Sequence, residues 1–264
     1  MKVAAVQVDI VWRDPSENMA RLTTIVDQAA AAGAEFVVLP EMFPTGYSID
    51  AAAIAEATDG TTITALIELA ASRRVWIGGS LAVRDGVGEL ARNRFVLVGP
   101  DRELHTYDKR HPFSFAREHE QFAAGDTLVT VEIGGLRVTP FVCYDLRFAD
   151  DFWERGPGTD LFVVVANWPS ARRHPWTTLL RARAIENQCF VVGVNRVGTA
   201  DGLEYSGDTC VIDPLGETLA SATEVETTLM VEVSRERVEE VRSRFRFLDD
   251  RRSAGSLPVG GIAQ

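Results

Sequence analysis

Residues 136–148 read LRVTPFVCYDLRF: an apolar run from Leu136 to Val142 that stops on Cys143 and turns at once into Tyr144-Asp145-Leu146-Arg147-Phe148. Seven residues of this kind, rich in Val and Phe, make a buried strand, and the abrupt change of character marks its end. A thiol there is held rigidly yet can meet a substrate. By itself the position is also compatible with a small buried hydrophobe, the commonest role of an unpaired cysteine. Working outward, Gly134-Gly135 joins this strand to an upstream one at 128–133, as a hairpin. Residues 150–155 then predict a short helix, and the wholly apolar Leu161-Phe162-Val163-Val164-Val165-Ala166 predicts a strand covered on both faces. Strand, helix and covered strand in succession are the grammar of an α/β fold.

The rest of the chain obeys it. Residues 3–10 read as a strand. Asp14-Pro15-Ser16-Glu17 opens a helix, with Asp14 as the N-cap and Pro15 at the first helical position; Met19, Leu22, Ile25, Val26 and Ala29 follow at helical spacing up to Gly33. Strands are expected at 35–40, 75–83, 92–98, 103–108, 190–195, 209–213 and 228–233, and helices at 62–73, 176–187 and 235–242. Gly78-Gly79 within a strand suits close packing. No repeat, low-complexity stretch or linker interrupts the pattern, so residues 1–264 are read as one α/β domain, with an irregular or interface-docked tail from about 253.

Composition narrows the function. The chain has 264 residues, 46% hydrophobic and 25% charged, with a net charge of −11. Such a balance disfavours nucleic acid and anionic membranes as partners, because both require clustered Lys and Arg. The short basic groups Arg172-Arg173-His174 and 242–246 are read as solvated faces or dimer contacts. No apolar run approaches the roughly 18 residues of a membrane span, and the N-terminus does not resemble a signal peptide. The three cysteines, Cys143, Cys189 and Cys210, are odd in number and widely spaced, which suggests a reducing cytoplasm rather than a disulfide framework. Cys189 and Cys210 read as inert core thiols. No Cys/His spacing suits zinc and no glycine loop suits a phosphate, so neither metal nor cofactor is expected.

A thiol needs help to act as a nucleophile, because at neutral pH few free cysteines are ionised. Four histidines are available (His105, His111, His119 and His174), but none ends a strand as Cys143 does. Two other residues do. Glu41 follows Val37-Val38-Leu39-Pro40, and Lys109 follows Leu104-His105-Thr106-Tyr107-Asp108. Alone, the first reads as a turn carboxylate and the second as a solvated surface cation. Together with Cys143 they are three complementary groups at three strand ends, where α/β active sites gather. A carboxylate in a dry pocket can accept the thiol proton, and an ammonium can stabilise an oxyanion. The backbone N–H of Tyr144 is a second oxyanion donor candidate.

Residues 39–47 (LPEMFPTGY), 107–111 (YDKRH) and 143–148 (CYDLRF) resemble the three signature segments of the nitrilase superfamily of carbon–nitrogen hydrolases; 181–187 (RARAIEN) and 192–196 (VGVNR) resemble its later segments. Five motifs in order cover the chain from the first strand to about Val233. CYDLRF, and Lys109-Arg110-His111 followed by Glu118-His119, most resemble the omega-amidase branch. The resemblance implies a four-layer α-β-β-α sandwich, commonly a homodimer, and a triad of Glu41, Lys109 and Cys143. It also implies a second active-site glutamate, Glu118 by position, with Glu120 close enough to compete. The implied reaction is hydrolysis of a small carboxylate-bearing amide, such as α-ketoglutaramate, through a thioester.

Substrate contacts are less sharply defined. Arg147 is a candidate carboxylate anchor through its bidentate fork, or else the partner of a structural ion pair. Phe43, Tyr47 and Trp168 are candidate pocket walls, although aromatics are as readily core. Aliphatic amidase, N-carbamoyl hydrolase, nitrilase and acyl transferase activities use the same triad; a non-catalytic homologue and a redox-active cysteine protein are the more distant alternatives.

Overall fold

The computed structural model describes residues 1–252, and the predicted tail from about 253 lies outside them. Thirteen strands are present among the described residues: β1 (Lys2–Gln7), β2 (Phe36–Val38), β3 (Trp76–Val83), β4 (Arg92–Val98), β5 (Leu104–Asp108), β6 (Val131–Ile133), β7 (Leu136–Val142), β8 (Leu161–Ala166), β9 (Phe190–Asn195), β10 (Val197–Ala200), β11 (Leu203–Ile212), β12 (Thr218–Thr223) and β13 (Thr227–Glu232). The helices are α1 (Pro15–Ala31), α2 (Ala51–Ile54), α3 (Thr61–Arg73), α4 (Ala149–Arg155), α5 (Arg173–Asn187) and α6 (Arg235–Arg244), with short 3-10 turns between them.

The strands form two sheets. One runs β13-β1-β2-β3-β4-β5, with β1, β2 and β3 parallel. The other runs β10-β11-β9-β8-β7-β6, with β12 paired to β11 and with β7, β8 and β9 parallel. Period-2 alternation in the sequence decides which side each residue serves. On the first sheet Val3, Ala5, Phe36, Val38, Phe95 and Leu97 face the second sheet and join its core. Their neighbours Ala4, Val6, Val37, Val96 and Val98 face the other way and pack with Leu22, Val26 and Ala29 of α1 and Ile63, Leu66 and Leu69 of α3. On the second sheet β8 is buried along its whole length, covered by the first sheet on one face and by Trp176, Leu180 and Ala184 of α5 on the other. The result is helix, sheet, sheet, helix.

Local chemistry agrees with the expected boundaries in most places. The Asp14 side chain accepts the Glu17 N–H at 3.0 Å, capping α1. A Cβ on Gly79 would lie 2.9 Å from Leu39 Cβ and from Phe43 Cδ1, so the glycine lets β3 and the segment after β2 come together. Four parts of the fold are not anticipated by the pattern: β10, β12, the first half of β11 and the one-turn helix α2. The first two lie at sheet edges, and β12 (TLASAT) is exposed or half-exposed throughout. Such strands carry no apolar alternation to read.

Candidate active site

The three strand-end residues meet. β2 ends at Val38, and the next residues turn so tightly that Met42 takes φ 46°. Glu41 is thereby folded inward and fully buried. Lys109 directly follows β5 and is 1% exposed; its Nζ donates to Glu41 Oε1 at 3.1 Å and to Glu118 Oε2 at 2.9 Å. Glu118 is also fully buried, and it accepts the Phe113 N–H at 2.6 Å. Glu120, the competing glutamate, points outward and pairs with Arg117 at 2.8 Å. A lone buried ammonium would cost several kcal/mol, so two carboxylates at hydrogen-bond distance are what keep this one charged. Burial opposes the charged form of Lys109, but Glu118 and then Glu41 outweigh it, and its pKa stands well above the usual lysine value.

Cys143 directly follows β7 and opens a 3-10 turn, Cys143–Arg147. Its φ of 49° lies in the left-handed region, which a non-glycine residue occupies only when its surroundings enforce it. Asp145 supplies the enforcement. Its fully buried carboxylate accepts the Val142 N–H at 3.0 Å, the Tyr107 hydroxyl at 2.8 Å and the His111 N–H at 2.9 Å. One side chain therefore ties the end of β7 to β5, two residues before Lys109, across the two sheets. Desolvation raises the Asp145 pKa to about 6, against the pull of Lys109 and of these hydrogen bonds.

The Cys143 thiol is pushed well above its ordinary pKa, first by burial and then by the negative charge of Glu41, with Lys109 pulling the other way. The resting group is a thiol. With both carboxylates ionised and the thiol neutral, Cys143, Glu41, Glu118 and Lys109 together carry one net negative charge, and moving the thiol proton to Glu41 leaves the total of these four groups unchanged. Proton transfer inside the cluster thus avoids the desolvation cost of creating a new buried charge. The Tyr144 N–H lies in the first turn of the 3-10 helix and has no acceptor within it.

Two further groups in this network were not singled out from the sequence. Asn93 on β4 donates to Glu41 Oε1 at 2.8 Å. Asn167, directly after β8, donates its backbone N–H to Glu41 Oε2 at 2.7 Å and its side-chain amide to the Glu41 carbonyl at 2.5 Å. Asn167 carries the same signal that marks Glu41 and Cys143, a polar residue closing an apolar strand. Asn93 sits mid-pattern on β4 and carries none. His111 pairs with Asp151 at 2.9 Å and stacks on Phe148, while His105 stacks on Trp76, so neither reaches the cluster.

The other residues picked from the sequence divide. The Tyr47 ring lies 5.7 Å from Lys109 Nζ, and its buried hydroxyl has no hydrogen-bond partner among the described residues. Arg147 is exposed, makes no ion pair among the described residues, and stacks over Trp168 at 5.1 Å. Trp168 is 4% exposed and donates its indole N–H to the Arg172 carbonyl at 2.7 Å. The Tyr144 ring packs against Phe113 at 4.8 Å. Phe43 is a correction: it is fully buried among the outer core residues under α1 and α3, not on the site, because the turn that brings Glu41 inward sends Phe43 to the opposite side of the first sheet.

Known proteins resemble this chain over most of its length. The chain is 40% identical to omega-amidase YafV of Escherichia coli (strain K12) over 248 residues, covering 93% of this chain and 94% of the relative. It is 30% identical to the 2-oxoglutaramate amidase of Bacillus subtilis (strain 168), covering 94% and 96%. Its fold superimposes with TM-score 0.90 on XC1258 from Xanthomonas campestris, a CN-hydrolase superfamily protein solved with an arsenic adduct in its active site; the two share 39% identity over 96% of this chain and 98% of the other. Residues 2–243 match the carbon-nitrogen hydrolase family. The chain belongs to the carbon-nitrogen hydrolase family, in the omega-amidase branch of the nitrilase superfamily.

Proposed function

We propose that this protein is a cysteine-dependent omega-amidase that hydrolyses the terminal amide of a small carboxylate-bearing substrate to the acid and ammonia. The observation that carries the reading is the buried Glu41–Lys109–Glu118 cluster beside a thiol held at positive φ. Relatives described as an omega-amidase and a 2-oxoglutaramate amidase, matched over nearly their whole length, support the substrate class.

In this mechanism Glu41 takes the proton from Cys143 as the sulfur attacks the amide carbon. Lys109 Nζ and the Tyr144 N–H hold the oxyanion. Collapse of the tetrahedral adduct breaks the C–N bond. Glu41 returns its proton to the leaving nitrogen, ammonia departs, and a thioester remains. Water, deprotonated by Glu41, then attacks the thioester; the acid leaves and the thiol is restored. Glu118 orients Lys109. Tyr47 and Trp168 form walls of the pocket, and Arg147, free of any ion pair among the described residues, anchors the distal carboxylate. Three free cysteines, two of them buried, suit a reducing cytoplasm, and the enzyme acts as a homodimer.

Cys143→Ala is expected to cut ammonia release by at least about 1,000-fold. In Glu41→Gln, mass spectrometry of the intact protein during turnover should find no thioester. Undiminished turnover in Cys143→Ala would falsify the mechanism.

A further inference from the structure

One charged side chain stands among the residues that α5 buries: Trp176, Leu180, Arg183, Ala184 and Asn187. Arg183 is 4% exposed, so its guanidinium has given up nearly all its hydration. A Leu or Met would cover the second sheet without that cost. Two hydrogen bonds offset it. Nη1 donates to Glu186 at 2.9 Å, on the same helix. Nη2 leaves the helix and donates to the Leu146 carbonyl at 2.7 Å. The guanidinium also lies 5.0 Å over the Phe152 ring of α4, which restricts its swing. Leu146 is fully buried and belongs to the 3-10 turn Cys143–Arg147 that the nucleophile opens. The last carbonyls of a helical turn have no partner within it, and Arg183 supplies one. At the other end of the turn the Asp145 carboxylate holds the Val142 N–H. The turn is thus held at both ends and from different layers, by Asp145 to Tyr107 of β5 and by Arg183 to α5. Between the two anchors lie Cys143, at φ 49°, and the Tyr144 N–H.

We propose that Arg183 is a positioning residue for the hydrolysis: by holding the Leu146 carbonyl it keeps the turn wound and Cys143 in its left-handed conformation. Left-handed φ is costly for any residue with a Cβ, so the turn relaxes once an anchor is lost. Relaxation at Cys143 re-aims the sulfur and the following peptide N–H together, and both must keep their direction toward the same carbonyl group. Arg183 itself touches none of the groups assigned to the reaction. It acts through the turn, and its charge is a cost carried for that purpose.

The proposal rests on Cys143 as the nucleophile of the amidase reading, so its test includes a readout that needs no substrate. Wild type, Arg183→Met, Arg183→Lys and Glu186→Gln are compared in ammonia release from a short amide with a distal carboxylate. The same proteins are compared in deuterium uptake of the peptide spanning residues 142–148. Arg183→Met keeps an apolar stem over Phe152 and loses every donor. It should lower kcat by about 10- to 100-fold with KM unchanged within about 3-fold. It should also speed exchange in the turn by at least about 10-fold while β8 and β9 exchange as in wild type. Arg183→Lys, which keeps one donor for Leu146, should recover much of both losses. Glu186→Gln, which leaves the bond to Leu146 in place, should stay near wild type in both. Should Arg183→Met not fold, Arg183→Gln, polar but too short to reach Leu146, replaces it under the same criteria. A wild-type kcat, a loss carried by KM, a kcat loss without faster exchange in the turn, or faster exchange throughout the chain would reduce Arg183 to a packing residue and overturn the proposal. Failure of wild type to release ammonia, with exchange in the turn responding as expected, would instead defeat the amidase reading and leave the hold on the turn standing.

Discussion

Asp145 is a buried acid whose three hydrogen-bond donors come from β7, β5 and the loop after β5. Its position matters more than its charge, because it sets the spacing between Lys109 and Cys143. Its ionisation has a stability consequence with a definite sign. The folded pKa, about 6, lies above the ordinary 3.8, so the folded state binds the proton more tightly than the unfolded chain. The resulting stability is fully present below about pH 3.8 and is lost as pH rises through 6. Asp145→Asn cannot ionise and lacks this dependence. The unfolding free energy of the variant, relative to wild type, should therefore improve by about 2 kcal/mol between about pH 4 and about pH 7 in urea titrations. A constant difference across that window would show that the carboxyl group does not titrate in this range.

At the scale of elements, the site is assembled where strands stop. β2, β5, β7 and β8 deliver Glu41, Lys109, Cys143 and Asn167; three of them, Glu41, Cys143 and Asn167, carry the signal of a polar residue at the end of an apolar run, whereas Lys109 follows the mixed strand Leu104–Asp108. Phe43, a candidate pocket wall or core residue by sequence, falls in the outer core, because a turn after a strand can send successive side chains to opposite faces, and nothing local says which. The turn after β2 depends on Gly79, where a Cβ would press on Leu39 and Phe43. Gly79→Ala should destabilise the fold by about 1–3 kcal/mol, read from denaturant midpoints, since Leu39 Cβ is fixed to the backbone and the Phe43 ring is fully buried, so neither has much room to yield. Because the displaced segment leads directly to Glu41, kcat should fall as well. A variant with wild-type stability and activity would rule out this account of the turn.

For the whole molecule, the outer face of α5 leaves Ile185 49% exposed beside Gly216, and Leu215, the residue before Gly216, is exposed as well. A twofold dimer would set this apolar patch against its own copy. The protein should then sediment at twice its 28.9 kDa chain mass, and Ile185→Glu should shift it toward the monomer by burying like charges at the axis. A wild-type monomer at about 10 µM would remove the homodimer from the description.

Periodicity and strand-end chemistry by themselves determined the α/β class, most of the elements and the three candidate reactive residues, because burial on one face or two leaves a pattern in adjacent residues. The four-layer arrangement entered as an implication of the motifs. Only the tertiary structure set Glu118 against Lys109 and Glu120 against Arg117, brought Asn93 to Glu41, put Phe43 in the outer core and left Arg147 without an ion pair among the described residues, above Trp168. The physical reason is the same in each case. A hydrogen bond between residues 52 positions apart, such as Asn93 to Glu41, depends on which faces the packed sheets bring together, and that information is carried by no single stretch of the chain.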